Sequence, residues 1–119
     1  MYPERLLDHF RNPRNVGELT PPAITVEVSN PACGDILRLS ALFEEGRVMQ
    51  VGYKVRGCTA SIAAGSALTE WMQGKTRVEL SAFDVTAIDE AVGGLPEASR
   101  HAGVLCRDGL KALLRALDH

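Results

Sequence analysis

Hydrophobic and polar positions alternate through the first half of the chain and switch to helical spacing in the second. From Ala23 to Ser29, Ile24, Val26 and Val28 alternate with Thr25, Glu27 and Ser29, the period of a strand with one buried face. Asp35 to Phe43 carries Leu37, Leu39 and Ala41 on one face. Val48 to Val55 does the same with Val51, Tyr53 and Val55. Glu44-Glu45-Gly46-Arg47 predicts a hairpin turn between the last two strands. Links this short predict an antiparallel meander. Ahead of the strands, Pro3 to Phe10 predicts a short helix with Leu6, Leu7 and Phe10 on its apolar face. Asn12-Pro13 and Asn15-Val16-Gly17 end it, and Glu18 to Pro22 is a linker.

From Thr59 the period changes. Thr59 to Gln73 predicts a helix closed by Gly74, and its first half is rich in Ala, Ser and Gly, which suits close packing. Thr76-Arg77-Val78-Glu79 fits a capping box at the start of a short helix. Thr86 to Val92 predicts another, Gly93-Gly94-Leu95-Pro96 a loop, and about Ala98 to Leu117 the last helix. Strands followed by helices predict an α+β fold, a small three-stranded antiparallel sheet with helices packed on one face. At 119 residues the expectation is a single domain, 1–119.

Composition narrows the function classes. A net charge of -2 with scattered Lys and Arg carries no nucleic-acid footprint. The apolar runs are far too short to span a membrane. Three cysteines cannot all pair, and Tyr2-Pro3-Glu4 opens into an amphipathic segment without a secretory pattern. The expected compartment is therefore the cytoplasm, with reduced thiols. There, cysteines in turns point to metal or sulfur chemistry rather than to a disulfide framework.

Three stretches carry that chemistry. Cys33 lies between Pro31 and Gly34, with Asp35 two residues on. Cys58 follows Gly57 at the start of the small-residue helix, where free N–H groups favour a thiolate, and Lys54 and Arg56 just upstream add support. His101 falls in the first turn of the last helix. Each has a plain alternative: a buried turn cysteine capped by Asp35, a small apolar residue at a strand end, a surface histidine. Converging, Cys33, Asp35, Cys58 and His101 would suffice for a four-coordinate site. Cys106 lies ~40° around the last helix and ~6 Å along it from Ala102. It sits in an apolar stripe with Leu105, Gly109, Leu113 and Leu117, opposite Arg107, Lys111, Arg115 and Asp118. It reads as a buried, inert thiol, or as a reserve ligand or sulfur acceptor if it leans toward the helix N-terminus. His9 and His119 receive no role.

Several motifs together resemble the iron–sulfur cluster assembly scaffolds of the IscU/NifU N-terminal type. Asp8-His9-Phe10-Arg11-Asn12-Pro13-Arg14-Asn15-Val16-Gly17 is similar to that family's opening signature, and Pro31-Ala32-Cys33-Gly34-Asp35 to its first cluster loop. Lys54-Val55-Arg56-Gly57-Cys58, Ala60-Ser61 and Thr69-Glu70-Trp71-Met72-Gln73-Gly74-Lys75 resemble its second cysteine and following helix. The resemblance implies a scaffold, not a turnover enzyme. It would bind iron and a [2Fe–2S] cluster, receive sulfur as persulfide from a cysteine desulfurase, and pass the cluster to acceptor apo-proteins. It implies Cys33 and Cys58 as ligands, Asp35 as the residue that keeps the cluster labile, and His101 as a further ligand. In the family a third cysteine, a sulfur acceptor in much of it, follows the histidine; here that residue is Ala102. Leu95-Pro96 is followed by Glu97-Ala98-Ser99, a departure from the family's chaperone-recognition stretch that weakens the case for chaperone-driven release.

Two thiolates, an imidazole and a carboxylate also suit Zn²⁺, and histidine can replace cysteine on a cluster iron. Two alternatives therefore stand beside the scaffold reading: a zinc-bound sulfur-acceptor partner of a cysteine desulfurase, and a homologue whose metal only stiffens the fold.

Overall fold

The structure is a computed structural model that describes residues 2–31 and 34–118. Its elements, in chain order, are α1 (Glu4–Arg11), β1 (Ile24–Asn30), β2 (Asp35–Glu44), β3 (Arg47–Arg56), α2 (Thr59–Met72), α3 (Arg77–Ser81), α4 (Val85–Ala91), a 3₁₀ turn (Glu97–Ser99) and α5 (His101–Leu117). The sheet is an antiparallel meander in the order β1-β2-β3. Glu45 and Gly46 at the β2–β3 turn both have positive φ, 53° and 78°, as a two-residue hairpin turn matched to strand twist requires. The β2–β3 register slips by one between Leu42 and Phe43, passing over Met49, which is solvent-exposed.

One face of the sheet is dry and the other is charged. Leu37, Leu39, Ala41, Val51 and Tyr53 point into a core completed by α1, α2 and α5. The outer face carries the cross-strand row Glu27–Arg38–Lys54. There Arg38 bonds Glu18 at 2.8 Å and Glu27 at 3.0 Å. The small residues of α2 are explained by distance. A Cβ built on Gly65 would stand 2.5 Å from Cε2 of Tyr53, so any larger residue would push the helix off the sheet. Gly109 of α5 meets Leu37 in the same way, at 2.7 Å.

Three expectations shift. The buried face of α1 is Leu6 with His9, whereas Phe10 is exposed; a polar residue takes the inward position because its ring nitrogen finds a partner on α2. Helix α4 starts one residue earlier than expected, since the Asp84 side chain accepts from the Thr86 N–H at 3.0 Å and caps it. The last helix starts at His101 rather than near Ala98. After Pro96 the first bonds are of the tight i→i+3 kind, Ser99 N–H to Pro96 O at 2.8 Å and Arg100 N–H to Glu97 O at 3.3 Å, and the α-helix begins only beyond them. Among the described residues no helix is long and apolar enough to cross a membrane.

Candidate metal centre

Strand register builds the site. Ile36 pairs with Arg56, so Asp35 at the start of β2 lies beside the exit of β3 at Gly57. Asp35 shares the parity of Leu37 and Leu39 and so turns toward the helices, where it is 5% exposed. Its carboxylate rests directly on Gly57: a Cβ there would stand 2.6 Å from Asp35 Cγ, so glycine is what lets the group in. Cys58 caps the N-terminus of α2 with extended backbone angles, and His101 is the first residue of α5. Two helix N-termini and a strand end thus meet at one corner of the sheet.

The donor atoms there are in mutual contact, and Cys58 Sγ is within hydrogen-bond distance of both of its neighbours. Cys58 Sγ lies 3.4 Å from His101 Nε2 and 3.6 Å from Asp35 Oδ2, and His101 Nε2 lies 3.4 Å from Asp35 Oδ2. A tetrahedral ion with bonds of ~2.0 Å to nitrogen and oxygen and ~2.3 Å to sulfur would separate its donors by ~3.3–3.6 Å. The three atoms therefore already form one face of a coordination tetrahedron of the right size for Zn²⁺ or iron. The Asp35, Cys58 and His101 donors form a metal-capable group among the described residues. Ser61, one helical turn into α2 and 1% exposed, donates its hydroxyl to the same Asp35 Oδ2 and lies 3.3 Å from Cys58 Sγ.

The NifU-like N-terminal domain model matches residues 1–118. The chain belongs to that family. Among relatives of this NifU-like chain, the iron–sulfur cluster assembly scaffold protein IscU of Azotobacter vinelandii is 39% identical over 122 residues, covering 99% of this chain and 94% of the relative. The iron–sulfur cluster assembly enzyme IscU of Drosophila melanogaster is 36% identical over 118 residues, covering 96% and 76%. In fold, the crystal structure of a NifU-like N-terminal protein from Brucella abortus superposes with a TM-score of 0.75 at 20% identity, covering 97% of this chain and 90% of that one. The family supports iron or cluster binding.

Within this NifU-like domain the sequence-derived candidates separate. Asp35, Cys58 and His101 come together. Cys33 lies outside the described residues, as does His119. Lys54 is corrected: strand alternation puts it on the charged outer face, in register with Arg38 and opposite to Asp35, so it is not placed to support the thiolate. Cys106 takes the buried, inert reading, and its alternative as a reserve ligand or sulfur acceptor finds no support. It is 1% exposed within the core and stands outside the metal-capable group, and burial pushes its thiol up to about 12, which keeps it protonated. Ala102, beside His101, is fully buried and offers no donor. His9 has a structural part, its Nδ1 meeting Ser66 Oγ at 2.7 Å. Ser61 joins the site from outside the candidate ligands, and its sequence signal is spacing: the residue three past a helix cap reaches back over the cap.

Proposed function

We propose that this chain is an iron–sulfur cluster assembly scaffold or carrier that holds iron and a [2Fe–2S] cluster and passes them to acceptor apo-proteins. The observation that carries the reading is the donor face of Asp35, Cys58 and His101, spaced as the ligands of one metal would be. Cys33, four residues before the described Leu37 and adjoining Gly34, is the proposed fourth donor. Family membership and the 39% identity to a scaffold relative support the same reading.

The cargo is a substrate, and the residues divide the work of holding it. Cys58 binds as thiolate and His101 as neutral imidazole through Nε2, so loading releases protons. Asp35 supplies one hard oxygen among softer donors, a weaker hold on cluster iron that favours release. His101, one-quarter exposed, leaves the corner open to a partner. Sulfur would come as persulfide from a cysteine desulfurase. The chain binds and transfers; it does not turn over substrate. Residues 1–119 act as one domain, since the described core is one continuous cluster from Leu6 to Leu113, and ligating thiols call for the reducing setting of a cytoplasm.

Anaerobic reconstitution with iron and sulfide tests this. Charge-transfer absorption is expected in the unmodified chain and lost in Cys58→Ser. Absorption only in Ala102→Cys would sink the scaffold reading of this chain. One observation favours a second reading: the donor spacing also fits a single ion. As a zinc-bound sulfur acceptor, the chain would raise desulfurase activity while remaining colourless.

A further inference from the structure

We infer that Ser61 is a positioning residue of the metal centre, holding Asp35 so that Oδ2 completes the donor face. This rests on the proposed metal-binding function and adds to it a residue that acts through another. The Ser61 hydroxyl donates to the one carboxylate oxygen that faces both Cys58 Sγ, at 3.6 Å, and His101 Nε2, at 3.4 Å. A carboxylate that is free to rotate about its terminal torsion presents either oxygen, or neither, to a metal. Here Gly57 closes one side of the group at contact distance and Ser61 fastens the other. Ser61 is itself buried in the first turn of α2, so its hydroxyl cannot swing to solvent and its position is set by the same helix that begins at Cys58.

The alternative role for Ser61, direct ligation, is chemically weaker, because a neutral hydroxyl competes poorly with thiolate, imidazole and carboxylate for these metals. A hydroxyl bonded to a ligating carboxylate is instead the usual outer partner in such sites, and its loss weakens metal binding by roughly 10–100-fold. The same hydroxyl stands 3.3 Å from Cys58 Sγ, so Ser61 spans the two donors it sits behind.

The test uses Co²⁺ as the probe with the whole chain, in four forms: unmodified, Ser61→Ala, Asp35→Ala, and both together. Affinity is read by titration, and thiolate–cobalt absorption reports whether thiolate ligation is kept. Ser61→Ala is expected to weaken Co²⁺ binding roughly 10–100-fold while keeping thiolate absorption at saturation. It is expected to add less than about threefold once Asp35 is already Ala, because its effect runs through that carboxylate. Thermal melts of the metal-free chains check that each variant folds, and Ser61→Thr, which keeps the hydroxyl, should restore affinity. An equal loss in both backgrounds, or no loss in either, overturns the positioning role while leaving the metal site intact. If the unmodified chain takes up no Co²⁺, the proposed function itself fails, and this inference with it.

Discussion

Helix α2 carries a polar cluster at each end, and the two are made of nearly the same residue types. At its N-terminus stand Asp35, Cys58, Ser61 and His101; along its later half stand His9, Ser66, Thr69, Arg14 and Glu70. The second cluster is knit by ordinary hydrogen bonds. Ser66 Oγ lies 2.7 Å from His9 Nδ1 and accepts the Arg14 N–H at 2.9 Å, while Thr69 Oγ1 accepts from Asn15 at 3.1 Å and donates to Ser66 O at 2.7 Å. It anchors the N-terminal segment on α2 and delivers Asn15 and Gly17 to the edge of β3, where they bond Tyr53. In the first cluster the thiol, imidazole and carboxylate meet through longer contacts of 3.4–3.6 Å, and Ser61 adds a short one to Asp35. A histidine, a serine and a carboxylate are therefore not a site in themselves. Spacing, a thiol and an open edge separate a candidate metal centre from a structural lock.

That contrast can be broken at either end. The largest effect is expected from Cys58→Ser: loss of iron or Co²⁺ uptake, read by absorption, with the urea midpoint of the metal-free chain unchanged. Gly57→Ala should come next. Its Cβ would collide with the Asp35 carboxylate and turn it off the donor face, so metal affinity should fall by roughly tenfold or more, read by competition with a chelator. Ser66→Ala attacks the other cluster and should do the reverse. Leaving His9 and the Arg14 N–H without their partner should cost about 1–3 kcal/mol in urea unfolding, while metal affinity stays the same. A loss of metal binding there would show that the two clusters are coupled through α2.

The smallest expected effect is on pH dependence. Burial, then the Arg14 charge, hold His9 below its ordinary value, against the opposing pull of Glu70 and Asp8. As pH falls below about 6.5 the unfolded chain takes up this proton before the folded one. Stability present above that pH should decline between it and the lower folded value, then level off. Comparing urea midpoints of the metal-free unmodified chain and His9→Asn across pH 5 to 7.5 checks this; a slope that survives in His9→Asn assigns it to another group.

Most of the fold was legible because its signals are local. Ile24, Val26 and Val28 alternate, Thr76 and Glu79 stand at capping-box spacing, and Glu45-Gly46 is a hairpin turn, each within a few residues of its cause. The inward turn of His9 was hidden because its cause, Ser66, lies 57 residues away. The tight turn before His101 was hidden because hydrogen-bond geometry after Pro96, not residue type, decides it.

For the site, sequence alone supplied the candidate ligand types: a cysteine at a helix cap, an acid at a strand start, a histidine at a helix start. Tertiary structure decided which of them meet. Antiparallel register brought Asp35 beside Gly57, strand parity sent Lys54 to the opposite face, and helix packing sank Cys106 into the core. Identity of a side chain is carried by one residue, but the direction it points depends on a period, a register and a neighbour contributed by distant parts of the chain.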